Sequence, residues 1–199
     1  MSTPREWAPP LLDGPALLER AVGYTRTSLQ LVAGADLHAP TPCADWDLLT
    51  LLQHMNDSLA AFTDAADIGY VDLVPIGGED DAPAARVLVD RLKGRACALL
   101  AAWAHHPGPG EVLVADRGLR SDVLAAAGSL EIAVHGWDVA RSCGEDRPLP
   151  AGLALELLHA FPLLVGPEDR PARFAPALDV PLHARPSSRL LAALGRPAL

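Results

Sequence analysis

A chain of 199 residues, half of them apolar, is long enough to bury a sizeable core within one domain. Its formal charge of −9, from 25 acidic against 16 basic residues with no cluster of Lys or Arg, leaves no footprint for a phosphate backbone or an anionic lipid surface. No apolar run approaches the roughly 20 residues that cross a bilayer, and MSTPREWAPP lacks the basic and apolar parts of a leader. The expectation is a cytoplasmic protein with neither nucleic acid nor membrane as partner.

Asp13-Gly14-Pro15 opens the first predicted helix. Pro suits an early helical position, and Leu18, Ala21, Val22, Leu29 and Val32 then recur at helical spacing up to a stop near Gly34. HAPTPCADWD is a connection rich in turn formers, and after it Leu48, Leu52, Met55, Leu59 and Phe62 follow one another at the alternating three- and four-residue spacing of a second, clearly amphipathic helix. A Gly- and Asp-rich link around Pro75 to Pro83 leads to a third helix marked by Leu88, Leu92, Ala96, Leu99 and Trp103, which PGPG at 107–110 ends. The alternation in EVLVADRG makes a short extended segment, too brief to define a sheet.

A fourth helix runs from about Ser121 to Cys143 with Gly144 as its stop, and a shorter fifth covers Leu153 to Leu164. The tail passes through the extended, Pro-broken RFAPALDVPLHARP to SSRLLAALGRP, which reads as a Ser cap, an apolar turn or two, then Gly and Pro. No internal repeat and no separating linker stands out. The expected architecture is all-α: one domain over 1–199, a four-helix bundle with its core at about 13–166, and additional short C-terminal helices in a tail at 167–199. Bundles of this kind build their sites from side chains on facing helices.

The fourth helix contains EIAVHGWDVA, in which Glu131, His135 and Asp138 fall within roughly 60° of one another at about 100° per residue. Apolar residues flank this stripe, and Ala126, Ala133 and Ala140 occupy the opposite surface, so no side of the helix is made for water. A buried carboxylate is normally paired, protonated or bound to a metal. Glu131 and His135 at i, i+4 can direct an oxygen and an imidazole nitrogen to one point, as metal ligands on bundle helices do, while small Ala127 and Gly128 leave room for a ligand one turn away. An ordinary Glu-His hydrogen bond explains the same pattern equally well, so a third ligand decides between the two.

Among the other histidines, His105 and His106 end the third helix, where a cation meets the helix dipole. His38, His159 and His183 lie in a loop, a short helix and the tail. Only His54 sits inside another long helix, and it falls about 120° from the centre of that helix's apolar seam, at its edge, where periodicity alone makes it a surface residue. Cys43, Cys97 and Cys143 are odd in number and lack any CxxC spacing, so they read as separate reduced thiols.

TPCADWDLLTLLQHM is similar to the TPC-x-x-W-D…H segment, and EIAVHGWDVA to the E-x-x-x-H-G-W-D-(L/V)-A segment, of the actinobacterial branch of the DinB/YfiT-like superfamily, which includes the mycothiol-dependent maleylpyruvate isomerase family. FAPALDVP followed by RLLAALGRP resembles that branch's ending, so the resemblance covers nearly the whole chain. It implies a DinB-like bundle holding one divalent metal, zinc or nickel, on His54, Glu131 and His135, with Asp138 orienting a ligand histidine from behind. Trp46 and Trp137 then read as packing anchors. It also implies a low-molecular-weight thiol as co-substrate, mycothiol in actinobacteria, and an electrophilic small molecule as acceptor. A thiol of pKa near 8.5 is mostly protonated at neutral pH, and coordination to a divalent cation favours the nucleophilic thiolate. The outcome is transfer of sulfur to the electrophile, or isomerisation if the thiol later leaves.

The sequence departs from that pattern in HMNDSLAAF, where Asn56 and Asp57 are expected to shape a different pocket rim. It also carries no substantial further domain of the kind found in the isomerase itself, so that enzyme's substrate is not expected to carry over. Arg141 reads as a partner in a surface salt bridge. A non-catalytic, metal-dependent small-molecule binding or sensor module with the same fold is the alternative reading, and the oligomeric state stays open, a dimer included.

Overall fold

The computed structural model describes residues 13–43, 45–71, 85–105, 110–114, 117–181 and 183–197. Helix α1 (Gly14–Ser28) begins where Asp13 accepts the amide of Ala16, with Pro15 in its first turn. It then tightens into a 3-10 turn over Leu29–Gly34, so the first predicted helix keeps its extent but not its pitch. At three residues per turn, Leu29 and Val32 fall on the same side, and both are buried.

Helix α2 (Leu48–Ile68) is capped by Asp47, whose Oδ1 accepts the Thr50 amide at 2.8 Å and its hydroxyl at 2.7 Å. His38 Nδ1 lies 2.9 Å from the other oxygen, and these bonds, Thr50's first, pull the Asp47 carboxyl down to about 2. The predicted link at 75–83 lies outside the described residues, as does PGPG up to residue 109. Helix α3 (Ala85–His105) follows.

A small sheet corrects the expectation for EVLVADRG. Strand β2 (Glu111–Val114) pairs antiparallel with β3 (Arg117–Arg120), and β1 (Tyr70–Val71), just beyond α2, pairs parallel with β2 in the order β1-β2-β3. Val112 points inward and anchors the hairpin. The missing partner was a two-residue strand, too short to leave any alternation in the sequence.

Helix α4 (Ser121–Ser142) ends as expected: Gly144 and Glu145 donate back to Arg141 and Ala140, the paired bonds of a Schellman stop. Helix α5 (Ala151–Leu164) leads to the tail and α6 (Pro186–Ala193). The serine expected to cap α6 bonds elsewhere, since the Ser187 hydroxyl accepts the Leu149 amide at 3.0 Å, and Pro186 opens the helix with Arg185 at the cap. The fold is all-α apart from this sheet, with α1 packed along α4 and α2 along α3 and α4. Among the described residues no helix is long and apolar enough to cross a membrane.

Ala126, Ala133 and Ala140 are all fully buried, so α4 is enclosed on the side away from the polar stripe. Its contact with α1 is closest at Gly136, where an added Cβ would stand 2.3 Å from Thr25 Oγ1 and 3.1 Å from the Thr25 backbone. That hydroxyl donates to Ile132 O at 2.7 Å, which ties the two helices together. Gly136→Ala should therefore lower stability by on the order of 1–2 kcal/mol, overpacking outweighing the gain in helix propensity. A thermal melt checks this, and an unchanged midpoint would mean that α1 yields freely.

Candidate metal centre

The loop 40–47 aims its side chains by hydrogen-bonding to itself. Thr41 donates its amide and hydroxyl to Trp46 O, Trp46 donates back to Cys43 O, and Pro40 and Asp47 form an isolated β-bridge. The turn sets the Trp46 ring 4.7 Å from that of His54 and 6.3 Å from that of His135, beside the histidines as a packing residue. Trp137 is buried, with the Arg141 guanidinium 5.9 Å from its ring. Arg141 also lies 3.9 Å from Asp146, a loose contact at the surface.

From α2, His54 Nε2 approaches Glu131 Oε1 at 2.6 Å, and from α4, His135 Nε2 approaches the same oxygen at 3.2 Å. Ser58, one turn beyond His54, donates its hydroxyl to that oxygen at 3.1 Å. The ligand atoms of His54, Glu131 and His135 all lie within 4.8 Å of one another. His54 is 36% exposed and His135 9%. The seam-edge position of His54 thus reflects a centre reached from solvent on that side.

Behind His135, Asp138 is fully buried, and its Oδ2 lies 2.9 Å from His135 Nδ1. That bond makes Nδ1 a donor to Asp138 and turns Nε2 toward Glu131, to which it donates while the ring is charged and from which its lone pair is open to a cation once the ring is neutral. Asp138 is in turn gripped by Arg196 from the C-terminal segment, Nε to Oδ1 at 2.8 Å and Nη2 to Oδ2 at 2.7 Å. Helix α6 delivers this arginine through a second Schellman stop, in which Gly195, at φ 75°, and Arg196 donate back to Ala192 and Leu191. Arg170 pins the segment by donating to Ala175 O and Ala193 O. Cys43 Sγ completes the cluster, 3.3 Å from both Asp138 Oδ2 and Arg196 Nη2 and 3.8 Å from His135 Nδ1.

Charge follows this geometry. Burial pushes the Glu131 carboxyl up, but His135 and then His54 outweigh it and hold it well below the usual carboxylate range. For His135, burial pushes down, and the charge of Glu131 with the bonds of Asp138 and Cys43 overcomes it, so its pKa stands well above the ordinary value. Asp138 is likewise raised by burial and held down on balance by His135 and Arg196.

Two imidazoles and an ionised carboxylate converging on one point are a suitable donor set for a divalent cation of the zinc or nickel kind. Cys43, His135 and Asp138 form a second close group. In that one the Asp138 charge is already matched by a bidentate guanidinium, so the first group fits a cation better.

The structure brings His54, Glu131, His135 and Asp138 together. Three further participants escaped the sequence reading: Ser58, which sits at i, i+4 from His54; Cys43, read there only as a reduced thiol; and Arg196, whose LGRP context marked only a helix end. The room expected at Gly128 is filled, since an added Cβ there would meet the Phe62 ring at 3.2 Å. Space lies instead on the other side of the stripe, in a cavity of about 400 Å³ between α1, α2, α3 and α4 that Glu131 and His135 help to line. Met55, Ser58 and Leu59 face it, whereas Asn56 and Asp57, the expected rim, turn elsewhere on α2.

An all-α bundle with two histidines and a glutamate gathered beside an internal cavity defines a class of candidate metal-centred helical proteins. Within that class, the model of the mycothiol maleylpyruvate isomerase N-terminal domain matches residues 18–140, and the chain belongs to that family. It is also 29% identical over 185 residues to uncharacterized proteins from two strains of Mycobacterium tuberculosis, covering 89% of this chain and 94% of each relative. No solved structure matches the chain.

Proposed function

We propose that the protein is a metal-dependent enzyme that uses a low-molecular-weight thiol, mycothiol in the first instance, to transfer sulfur to an electrophilic small molecule or to isomerise it. The observation that carries this reading is the convergence of His54 Nε2 and His135 Nε2 on Glu131 Oε1 at the wall of the cavity. His54, Glu131 and His135 would hold one divalent cation, zinc or nickel. Such a cation supplies a lowered thiol pKa and an open position for the sulfur.

The chain's own residues supply the rest. Asp138 holds the proton at His135 Nδ1, and Arg196 keeps Asp138 ionised. Ser58 steadies Glu131 Oε1, and Trp46 covers the His54 ring. The reading takes residues 1–199 as one domain acting in the cytoplasm, with the thiol and the electrophile as its partners.

The test is to incubate metal-loaded protein with mycothiol and a panel of electrophiles and to follow thioethers or isomers by mass spectrometry. Product formation above the uncatalysed rate, abolished by chelation and restored by the metal, is the expected result. Tight binding of the same molecules without turnover would instead assign a sensor or binding module. A metal-free preparation of equal activity would remove the metal from the mechanism.

A further inference from the structure

The cavity beside the candidate centre has a composition that selects among acceptors. Its volume of about 400 Å³ lies within the range of small-molecule sites. Its walls are Val22 and Leu29 from the first helical segment, Met55 and Leu59 from α2, and Leu92 and Leu100 from α3. The polar groups in its interior are already engaged. Thr25 donates its hydroxyl to Ile132 O, Ser58 donates to Glu131, and His135 uses both ring nitrogens on Asp138 and Glu131. Backbone amides along these walls are spent within the helices. Glu131 is itself an anion.

Among the described residues, and apart from Glu131 with its paired His135, the charged side chains lining the cavity are Glu19, Arg26 and Lys93 at its mouth, and Lys93 lies 3.9 Å from Asp90. Among the described residues, then, no unpaired interior cation and no unspent side-chain donor awaits a carboxylate, and the open position of a cation on His54, Glu131 and His135 is the one the thiol sulfur takes in the reading above. A carboxylate buried there without a partner would carry a large desolvation cost, whereas each buried methylene of an apolar body is favourable by about 0.8 kcal/mol.

We propose that this cavity takes a neutral, predominantly apolar electrophile and disfavours dicarboxylates, maleylpyruvate among them. The proposal rests on the enzymatic reading above only in making the bound molecule the acceptor of sulfur; the selectivity of the cavity stands on its walls.

Equilibrium binding to the metal-loaded protein with mycothiol present tests it without any turnover, since the thiol then occupies the position at which a carboxylate could meet the cation. The neutral fluorescent probe N-phenyl-1-naphthylamine should bind with a Kd on the order of micromolar, and dibutyl succinate should displace it where succinate at about a hundredfold higher concentration does not. Ala96→Trp, which fills the cavity from a half-buried wall position, should weaken the probe at least about tenfold with the melting point retained. Displacement by succinate at least as effective as by the diester would overturn the proposal. So would unaltered probe binding in a folded Ala96→Trp. If that variant does not fold, the competition in the unaltered protein decides alone. Selective binding without thioether formation would sink the enzymatic reading and leave the cavity's preference standing, and thiol addition confined to dicarboxylates would do the reverse.

Discussion

His135→Ala is expected to reduce bound divalent metal from about one ion per chain, as a single three-ligand site implies, to a trace, and thiol addition to the uncatalysed rate. The loss should exceed the roughly 10–100-fold typical of removing a residue that only supports a ligand, because His135 presents Nε2 directly toward Glu131. The same substitution strips Asp138 and Glu131 of a shared partner inside the bundle; Arg196 still pairs Asp138, and His54 and Ser58 still meet Glu131, so the fold should lose less than the about 3–5 kcal/mol of a buried charge left with no partner. Metal loss in this variant is therefore mixed with instability. His54→Ala separates the two effects: its ring is 36% exposed, so it should lose the metal while melting close to the unaltered protein. Elemental analysis of both purified variants, with circular dichroism melts, checks the pair.

The second large effect is expected far along the chain from the ligands. Arg196→Met removes the guanidinium that pairs both oxygens of a fully buried Asp138 and should destabilise the fold by about 3–5 kcal/mol. At roughly 2–4 °C per kcal/mol for a chain of this size, the midpoint should fall by roughly 6–20 °C. Adding Asp138→Asn should recover part of that loss, since the amide can still accept from His135 Nδ1 without a charge to compensate. A double-mutant cycle measures that coupling.

The pH dependence has a definite sign. With Arg196 in place the folded-state pKa of Asp138 is held below its ordinary value, so its stabilisation is present above about pH 4 and is lost as pH falls through the lower folded value. Without Arg196 only His135 still opposes burial, so that pKa rises relative to the unaltered protein. The penalty of Arg196→Met should accordingly shrink as the pH drops toward and below 4. Metal affinity should also weaken by about 10–100-fold, because Asp138 then holds His135 less firmly.

The polar stripe was legible because helical periodicity alone puts Glu131, His135 and Asp138 on one face of an otherwise apolar helix. Periodicity worked against His54: the centre opens to solvent there, so the residue stands where an amphipathic pattern places surface groups, and only the likeness of TPCADWDLLTLLQHM to a known segment assigned it. Cys43 and Arg196 lay beyond any spacing rule. Their contacts to Asp138 span 95 and 58 residues, and they depend on a self-bonded turn and on the angle at which α6 releases the chain. The sheet was missed for a related reason, since β1 is a two-residue strand paired with a hairpin about 40 residues away. Gly128 shows the opposite error. A small residue beside a polar stripe suggests space, yet the Phe62 ring from α2 fills it, and no local pattern predicts which side chain of a neighbouring helix arrives.

X-ray absorption at the metal edge of zinc-loaded protein, with no thiol added, tests the central claim most directly, because the two close groups of donors differ in sulfur. Coordination by His54, Glu131 and His135 predicts only nitrogen and oxygen neighbours at about 2.0–2.2 Å, with the outer-sphere scattering of two imidazoles. A sulfur neighbour at about 2.3 Å would place the ion on Cys43 instead, and a single imidazole would leave His54 outside the centre; either result would contradict the account.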